Sequence, residues 1–269
     1  MRIVLNPRII PVLLLRSGGL VKGIRFRDHK YVGDPINAVR IFNAKEADEL
    51  FLIDITATAR GSIPDPDFVQ RVADECYMPF GVGGGIRTID DARKLLRAGA
   101  EKISINTSVV QHPRLIQEAS EVFGSSSVTI SIDVKKDWRG KYWVYTHSGT
   151  RKTDLEVQQW ATQVAALGAG EIFLTSIDRD GTGKGYDLNL VKVITGLVDI
   201  PVIACGGAST YQDLTQVIEQ ANASAAAAGS LFVFYGSNRS VLIRYPDKSE
   251  WSPPKYISES EGVGKERKE

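Results

Sequence analysis

Three pairs of segments in this chain match each other at one fixed spacing: "ELFLIDITATARG" from Glu49 with "EIFLTSIDRDGTG" from Glu171, "PFGVGGG" from Pro79 with "PVIACGG" from Pro201, and "SINTS" from Ser104 with "AAAGS" from Ala226. The differences 171 − 49, 201 − 79 and 226 − 104 are all 122, so the chain contains one structural plan twice. Short β-branched or apolar runs recur at 8–15, 50–55, 79–83, 102–107, 128–134, 171–177, 201–205 and 224–229, and stretches of helical period separate them. Strands that alternate with helices pair in parallel, because only a crossover long enough to hold a helix returns the chain in the same direction. Eight such units predict a single α/β fold, a (β/α)₈ TIM barrel built from two similar half-barrels over residues 1–246.

Local signals agree with seven clear helices. Asp34 before Pro35, Asp67, Thr88 with Asp91 three residues on, and Ser209 are expected to cap helix starts, while Gly99, Gly124 and Gly168 suit helix ends. The stretch 135–150, "KKDWRGKYWVYTHSGT", predicts a hairpin inserted after the fifth strand, with Arg139-Gly140 at its turn. Residues 247–269 are rich in Ser, Glu, Lys and Pro and are expected to be a disordered tail.

In a parallel barrel the chemistry sits at the C-terminal ends of the strands. There Gly84 and Gly85 stand beside Asn106 and Thr107 in one half, and Gly206 and Gly207 stand beside Gly229 and Ser230 in the other. Glycine lets backbone N–H groups approach an anion closely, and the helix beginning just beyond adds a favourable partial charge. A lone Gly-Gly is equally an ordinary tight turn. The pairing across the repeat makes two phosphate cradles the stronger reading, suited to a long ligand with a phosphate at each end.

Four acids follow strand ends: Asp54, Asp133, Asp178 and Asp180. Asp133, in "TISIDVKK", follows an apolar strand and is expected to point into the barrel mouth as a general acid or base. Asp54, Asp178 and Asp180 are candidate substrate contacts together with Lys22, although Asp54 and Asp178 could equally be structural. His147 falls near the mouth on the inserted hairpin.

Charge and composition narrow the classes further. Thirty-three Lys and Arg against 32 Asp and Glu give a net charge of +1, so no general attraction to nucleic acid or to a membrane surface is expected. No apolar stretch approaches the roughly 20 residues of a membrane span, and "MRIVLNPRII" is not a signal sequence; the expected location is cytoplasmic. His29, His112 and His147 lack ligand spacing, and the two cysteines, Cys76 and Cys205, are too few for a zinc site or a disulfide framework. No metal and no cofactor are expected. Neither cysteine sits in a Gly-x-Cys-x-Gly turn, so the chain is not expected to hydrolyse glutamine itself.

"DITAT", "VGGGIRTIDDARKLLRAGAEKISINTSVV", "GAGEIFLTSIDRDGTGKGYD" and "IACGGAS" closely resemble the cyclase subunit of imidazole glycerol phosphate synthase, across residues 8 to 235. The resemblance implies a barrel that takes ammonia from a separate glutaminase subunit docked at its N-terminal face. It also implies that the ammonia is used at the other face to cleave and cyclise a bisphosphorylated ribulosyl aminoimidazole-carboxamide. Arg8, Glu49, Lys102 and Glu171 match the family's charged gate at the ammonia entrance, and such a ring could equally act as a stabilising salt-bridge plug. The family uses two aspartates, at the ends of the first and fifth strands. Asp133 matches the second, whereas Leu14 stands at the place of the first and "RSGG" follows in place of a lysine-acid-glycine loop; Lys22 is kept.

The ending "FVFYGSNRSVLIRYP" puts a β-branched run where the family continues into a closing helix. It resembles cyclase-subunit paralogues of bacterial surface-polysaccharide gene clusters, in which a third protein, an amidotransferase, uses the ammonia to form an amidine on a sugar. The expectation is therefore an ammonia-delivering barrel with lost or weakened cyclase chemistry. Two alternatives stand beside it. One is a working cyclase of histidine biosynthesis, making imidazole glycerol phosphate and aminoimidazole carboxamide ribotide, in which Asp54 or Asp178 replaces the missing acid. The other is a phosphate-ligand binding module.

Overall fold

A computed structural model describes residues 7–236, 238–247 and 250–251. Its centre is a closed ring of eight parallel strands: β1 (Arg8–Arg16), β2 (Leu50–Asp54), β3 (Phe80–Gly83), β4 (Lys102–Ile105), β5 (Val128–Lys136), β6 (Glu171–Ser176), β7 (Val202–Cys205) and β8 (Ala225–Ala228). Each strand pairs with the next, and β8 closes on β1 from Arg8↔Ala225 to Pro11↔Ala228. The eight strands expected from sequence are all present, and the fold is the (β/α)₈ barrel.

Side chains alternate between two cores. In β1, Ile9, Leu13 and Leu15 face the surrounding helices, whereas Ile10, Val12 and Leu14 face the barrel interior. That period of two is the geometry of a strand. The outer core also takes Phe42, Trp160 and Ile218 from the helices Pro35–Ala44, Val157–Ala166 and Tyr211–Ala221. The interior core is small and holds Phe51, Phe173, Ile203, Ala225 and Ala227 with Ile10 and Val12.

Two cap assignments are corrected by the structure. Asp65, not Asp67, caps the helix Pro66–Ala73, because Pro66 takes the first helical position and Asp65 accepts the N–H of Asp67. Thr210, not Ser209, caps Tyr211–Ala221 through a reciprocal capping box with Asp213. Asp34 and Thr88 cap as expected.

Two strands continue beyond the ring. β5 pairs antiparallel with Tyr142–Thr146, which pairs with Arg151–Glu156, so the expected hairpin at 135–150 is a three-stranded ribbon ending at Glu156. Its first turn is at Arg139-Gly140, where the Gly140 N–H donates to the Asp137 carbonyl. β1 likewise pairs with Gly19–Ile24, which pairs with Arg27–Gly33, a ribbon the sequence reading did not anticipate. β1 and β5 are equivalent strands of the two halves, so each half carries one ribbon above the barrel mouth.

After the short helix Ser230–Val233 the chain runs back extended, with Leu242 and Arg244 N–H groups donating to the carbonyls of Val233 and Phe232. Tyr245 is buried against Phe42 and Phe232. This strap lies where a closing helix would otherwise be. Of the tail expected from residue 247, positions 248–249 and 252–269 lie outside the described residues.

Candidate functional site

The strand register fixes which side chains share the mouth. Leu14 of β1 pairs with Ile53 of β2, and Asp133 of β5 pairs with Thr175 of β6. Ile53 and Thr175 are repeat partners, since 175 − 53 is 122. Leu14 and Asp133 therefore hold equivalent positions in the two halves, and both line one cavity of about 280 Å³.

Of the residues expected at the site, the cavity gathers Gly84, Gly85, Asn106, Thr107, Gly229, Ser230, Lys22, Asp54, Asp133, Asp180 and His147. Gly84 and Gly85 have φ of +117° and +67°, and a Cβ on Gly85 would lie 1.9 Å from the Ser62 carbonyl oxygen. No other residue fits that turn without moving the backbone. Gly206, Gly207 and Asp178 do not line the cavity. The Gly185 N–H donates to the Gly207 carbonyl at 2.9 Å, so the loop after β6 is packed onto these glycines. Of the residues expected to form the second cradle, Gly229 and Ser230 are the ones that line the cavity, beside the Lys22 amine.

Asp133 accepts a 2.9 Å hydrogen bond from the Asn106 side-chain amide. Burial pushes its pKa up to about 7, the nearby Asp180 carboxylate adds to the rise, and the Thr175 hydroxyl opposes it. Burial brings Lys22 down to about 8 against the pull of Asp180, and its amine donates to the Val12 carbonyl. Asp180 is itself pushed up by burial, with Lys22 acting against the shift. The site therefore holds an acid and an amine that both titrate near neutrality, as proton transfer requires.

Two of the expected acids are tied to local partners, Asp54 at the cavity wall and Asp178 outside it. Asp54 accepts from the Thr56 N–H, the Thr56 hydroxyl and the Ala57 N–H at 2.8, 2.7 and 3.1 Å, and pairs with Arg60 at 2.7 Å. It holds the start of the helix Ala57–Arg60. Asp178 accepts the Lys136 N–H at 2.9 Å and so anchors the ribbon on β5. The second turn of that ribbon crosses the mouth: the His147 N–H donates to the Thr107 hydroxyl, and the Ser148 hydroxyl donates to the Ile55 carbonyl.

The sequence reading passed over the cavity floor. Ser104 and Ser131 reach it with hydroxyl oxygens 2.6 Å apart. They sit two residues before Asn106 and Asp133, so strand alternation alone places them on the same inner face.

At the opposite end of the axis Arg8, Glu49, Lys102 and Glu171 come together as one ring. Arg8 pairs with Glu49 and, at 2.9 Å, with Glu171; Lys102 pairs with them at 2.7 and 2.9 Å. The Thr129 hydroxyl also donates to Glu171. The Glu49 and Glu171 side chains are 2% and 6% exposed, so two buried carboxylates are matched by two cations. Burial opposes ionisation of Glu171, but Arg8 and Lys102 prevail and hold its carboxyl below the ordinary range.

Among the described residues no group of three or more His, Cys, Asp or Glu is arranged to hold a metal, and no helix is long and apolar enough to cross a membrane. The family described as "Histidine biosynthesis protein" matches residues 8–238. The chain is 50% identical over 240 residues to "Putative imidazole glycerol phosphate synthase subunit hisF2" of Pseudomonas aeruginosa, covering 89% of this chain and 96% of that protein. It is 46% identical over 247 residues to the similarly named hisF3 protein of Vibrio vulnificus, covering 91% and 95%. It is also 47% identical over 228 residues to "Imidazole glycerol phosphate synthase subunit HisF" of Alkaliphilus metalliredigens, covering 85% and 90%. With this likeness, the barrel and its paired halves, the chain belongs to the histidine biosynthesis protein family, as a member of its HisF-type cyclase-subunit branch.

Proposed function

We propose that this chain is a HisF-type barrel that receives ammonia from a separate glutaminase subunit docked on its N-terminal face, in a 1:1 complex, and has lost or weakened its own cyclase chemistry. The ammonia enters through the ring of Arg8, Glu49, Lys102 and Glu171 and travels along the axis to the cavity. A third protein, an amidotransferase, takes it up there to form an amidine on a surface sugar. The cavity keeps its affinity for a bisphosphorylated ligand through the first cradle, Gly84, Gly85, Asn106 and Thr107, and through Gly229 and Ser230.

The observation that carries this reading is the apolar side chain of Leu14 facing the same cavity as Asp133 from the equivalent strand position. Ring closure coupled to bond cleavage needs proton donation and acceptance at separate places, and each such group contributes roughly 10²–10⁴-fold. A leucine does neither. The neutralised charged ring supports the ammonia route, because a barrel serving only as a binding module gains nothing from burying charge where an apolar plug would serve.

The experiment mixes the purified chain with the glutaminase encoded beside it and follows association and glutamate release. Association at micromolar concentration with faster glutamine hydrolysis is expected, and Lys102→Ala uncouples hydrolysis from ammonia delivery. No association and no mutual effect on activity would overturn the ammonia route. A working cyclase is the second reading, favoured by Asp180, a second buried carboxyl that faces the same cavity as Asp133 and Lys22. Ammonia-dependent turnover comparable to ordinary cyclases would decide for it.

A further inference from the structure

Lys22 stands midway along the ribbon strand Gly19–Ile24, held on one side by β1 and on the other by Arg27–Gly33. It is 6% exposed, and its amine reaches the cavity beside Gly229, where a Cβ would lie 2.3 Å from the nitrogen. Gly229 therefore leaves open the space that the amine occupies. Among the described residues this amine makes one hydrogen bond, to the Val12 carbonyl, and no ion pair. Burial penalises the ammonium ion, and no carboxylate at contact distance offsets the cost, so the neutral amine is favoured. A neutral amine carries a free lone pair, and folding has already fixed its position.

The ionisable groups around this amine come from several elements: Asp180 after β6, Cys205 on β7 and His29 on the ribbon strand Arg27–Gly33, with Asp133 of β5 lining the same cavity. Burial pushes the Cys205 thiol up to about 12 and lowers His29, so neither carries charge near pH 7. That leaves Asp133 and Asp180, two carboxyls raised by burial, to exchange protons with whatever the amine attacks. Val12, Leu14 and Ile53 give the cavity an apolar wall, which keeps water away from the reacting atoms.

We propose that Lys22 forms a reversible imine with the carbonyl of a phosphorylated ketone held in this cavity. The inference rests on the bisphosphate-binding reading given above; the carbonyl is the class of group that a positioned neutral amine selects. The lysine nitrogen attacks the carbonyl carbon while a protonated Asp133 or Asp180 gives its proton to the carbonyl oxygen, which makes a carbinolamine. The nitrogen then returns a proton to the carboxylate. That proton passes to the new hydroxyl, water leaves, and the nitrogen lone pair closes the C=N bond. The carbonyl oxygen departs as water, and nothing is oxidised or reduced. An iminium draws electrons more strongly than a ketone, so the ligand is held and activated in one step.

The test uses the isolated full-length chain with ribulose bisphosphate, a ketone carrying a phosphate at each end. Sodium cyanoborohydride reduces any iminium to a stable secondary amine, and mass spectrometry of the intact chain and its peptides locates it. A single adduct is expected, on Lys22, formed at least about tenfold faster than on any surface lysine. Ribitol bisphosphate, which keeps the phosphates and lacks the carbonyl, is expected to block it. Comparing lysines within one vessel cancels the pH dependence of the reagent. The preference for Lys22, whose amine titrates at about 8, is expected to be greatest near pH 7 and to fall as pH rises. By pH ~10 the surface amines lose their protons too, and Asp133, with its pKa of about 7, no longer has one to give.

Replacing Asp133 and Asp180 together by Asn is expected to slow trapping at least about tenfold. Lys22→Arg keeps the charge and is expected to bind ribulose bisphosphate by calorimetry while the adduct is lost; should that variant not fold, peptide mapping of the native chain decides alone. Binding without an adduct on Lys22, or labelling spread evenly over the lysines at every pH, would overturn the imine and leave the bisphosphate reading standing. Absence of binding would overturn both.

Discussion

Removing Lys102 separates a charge-balanced ring from a merely crowded one. Lys102 touches both carboxylates, at 2.7 Å to Glu49 and 2.9 Å to Glu171, and its own side chain is 18% exposed. Lys102→Met keeps the apolar stem and leaves two buried carboxylates with Arg8 alone. Breaking a buried pair in this way costs about 3–5 kcal/mol when the orphaned charge cannot escape. Here it escapes by protonation. Burial already raises the Glu49 carboxyl against the pull of Arg8 and Lys102, and removing Lys102 raises it further.

A carboxyl whose folded pKa is raised is most stabilising while protonated, so the variant is least stable above that folded pKa and recovers as pH falls toward about 4.3. Urea denaturation of Lys102→Met is therefore expected to show a loss of about 3–5 kcal/mol at pH 8 that shrinks by more than half at pH 5. Adding Glu49→Gln restores the balance of one cation to one anion, and the double variant is expected to lose less than the sum of the two single ones. A pH-independent loss, or strict additivity, would refute the view that the four charges act as one neutralised unit.

Asp133→Asn removes a buried carboxyl whose pKa lies up near 7, so stability the parent chain loses as pH rises from about 4 to 7 is retained in the variant; paired urea titrations at pH 5 and pH 8 check this. Leu14→Asp is expected to bring detectable ammonia-dependent cyclase turnover to a chain expected to have negligible activity of its own, well short of full recovery because residues 16–19 also differ; a discontinuous product assay reads it. Gly85→Ala, which forces a Cβ against the Ser62 carbonyl at φ +67°, is expected to weaken binding of a bisphosphate analogue at least about tenfold by calorimetry. Tyr245→Phe deletes a hydroxyl that donates to the Ile9 carbonyl and accepts the Asp48 N–H, and about 1–2 kcal/mol of stability with it, measured by denaturant midpoint.

The barrel itself was legible because its information is local and repeated. Period-two apolar strands, crossover-length helices and the 122-residue repeat each describe neighbours along the chain, and closure of eight such units follows from the twist and chirality of parallel strands. The positions of Asp133, Lys102 and Glu171 followed in the same way, since a residue on a barrel strand has only two faces to choose from.

What the sequence left open depended on partners distant in the chain. The ribbon at residues 19–33 escaped notice because Arg27–Gly33 is largely exposed and charged, without an apolar alternation to announce it, and it is held by pairing with Gly19–Ile24. Asp54, Asp178 and Asp180 look alike as acids after strand ends. Only the folded loops show that Arg60 and Thr56 engage the first at the cavity wall, the Lys136 N–H engages the second outside it, and the third faces the cavity beside Lys22 and Asp133. Phe51 and Phe173 read as two ordinary core residues until barrel closure sets their rings 5.0 Å apart. The amino-acid sequence determined the strands, their order and the chemistry each could carry. Tertiary structure decided which of those groups share a space and how far burial moves their protons, because both depend on what surrounds a side chain in three dimensions.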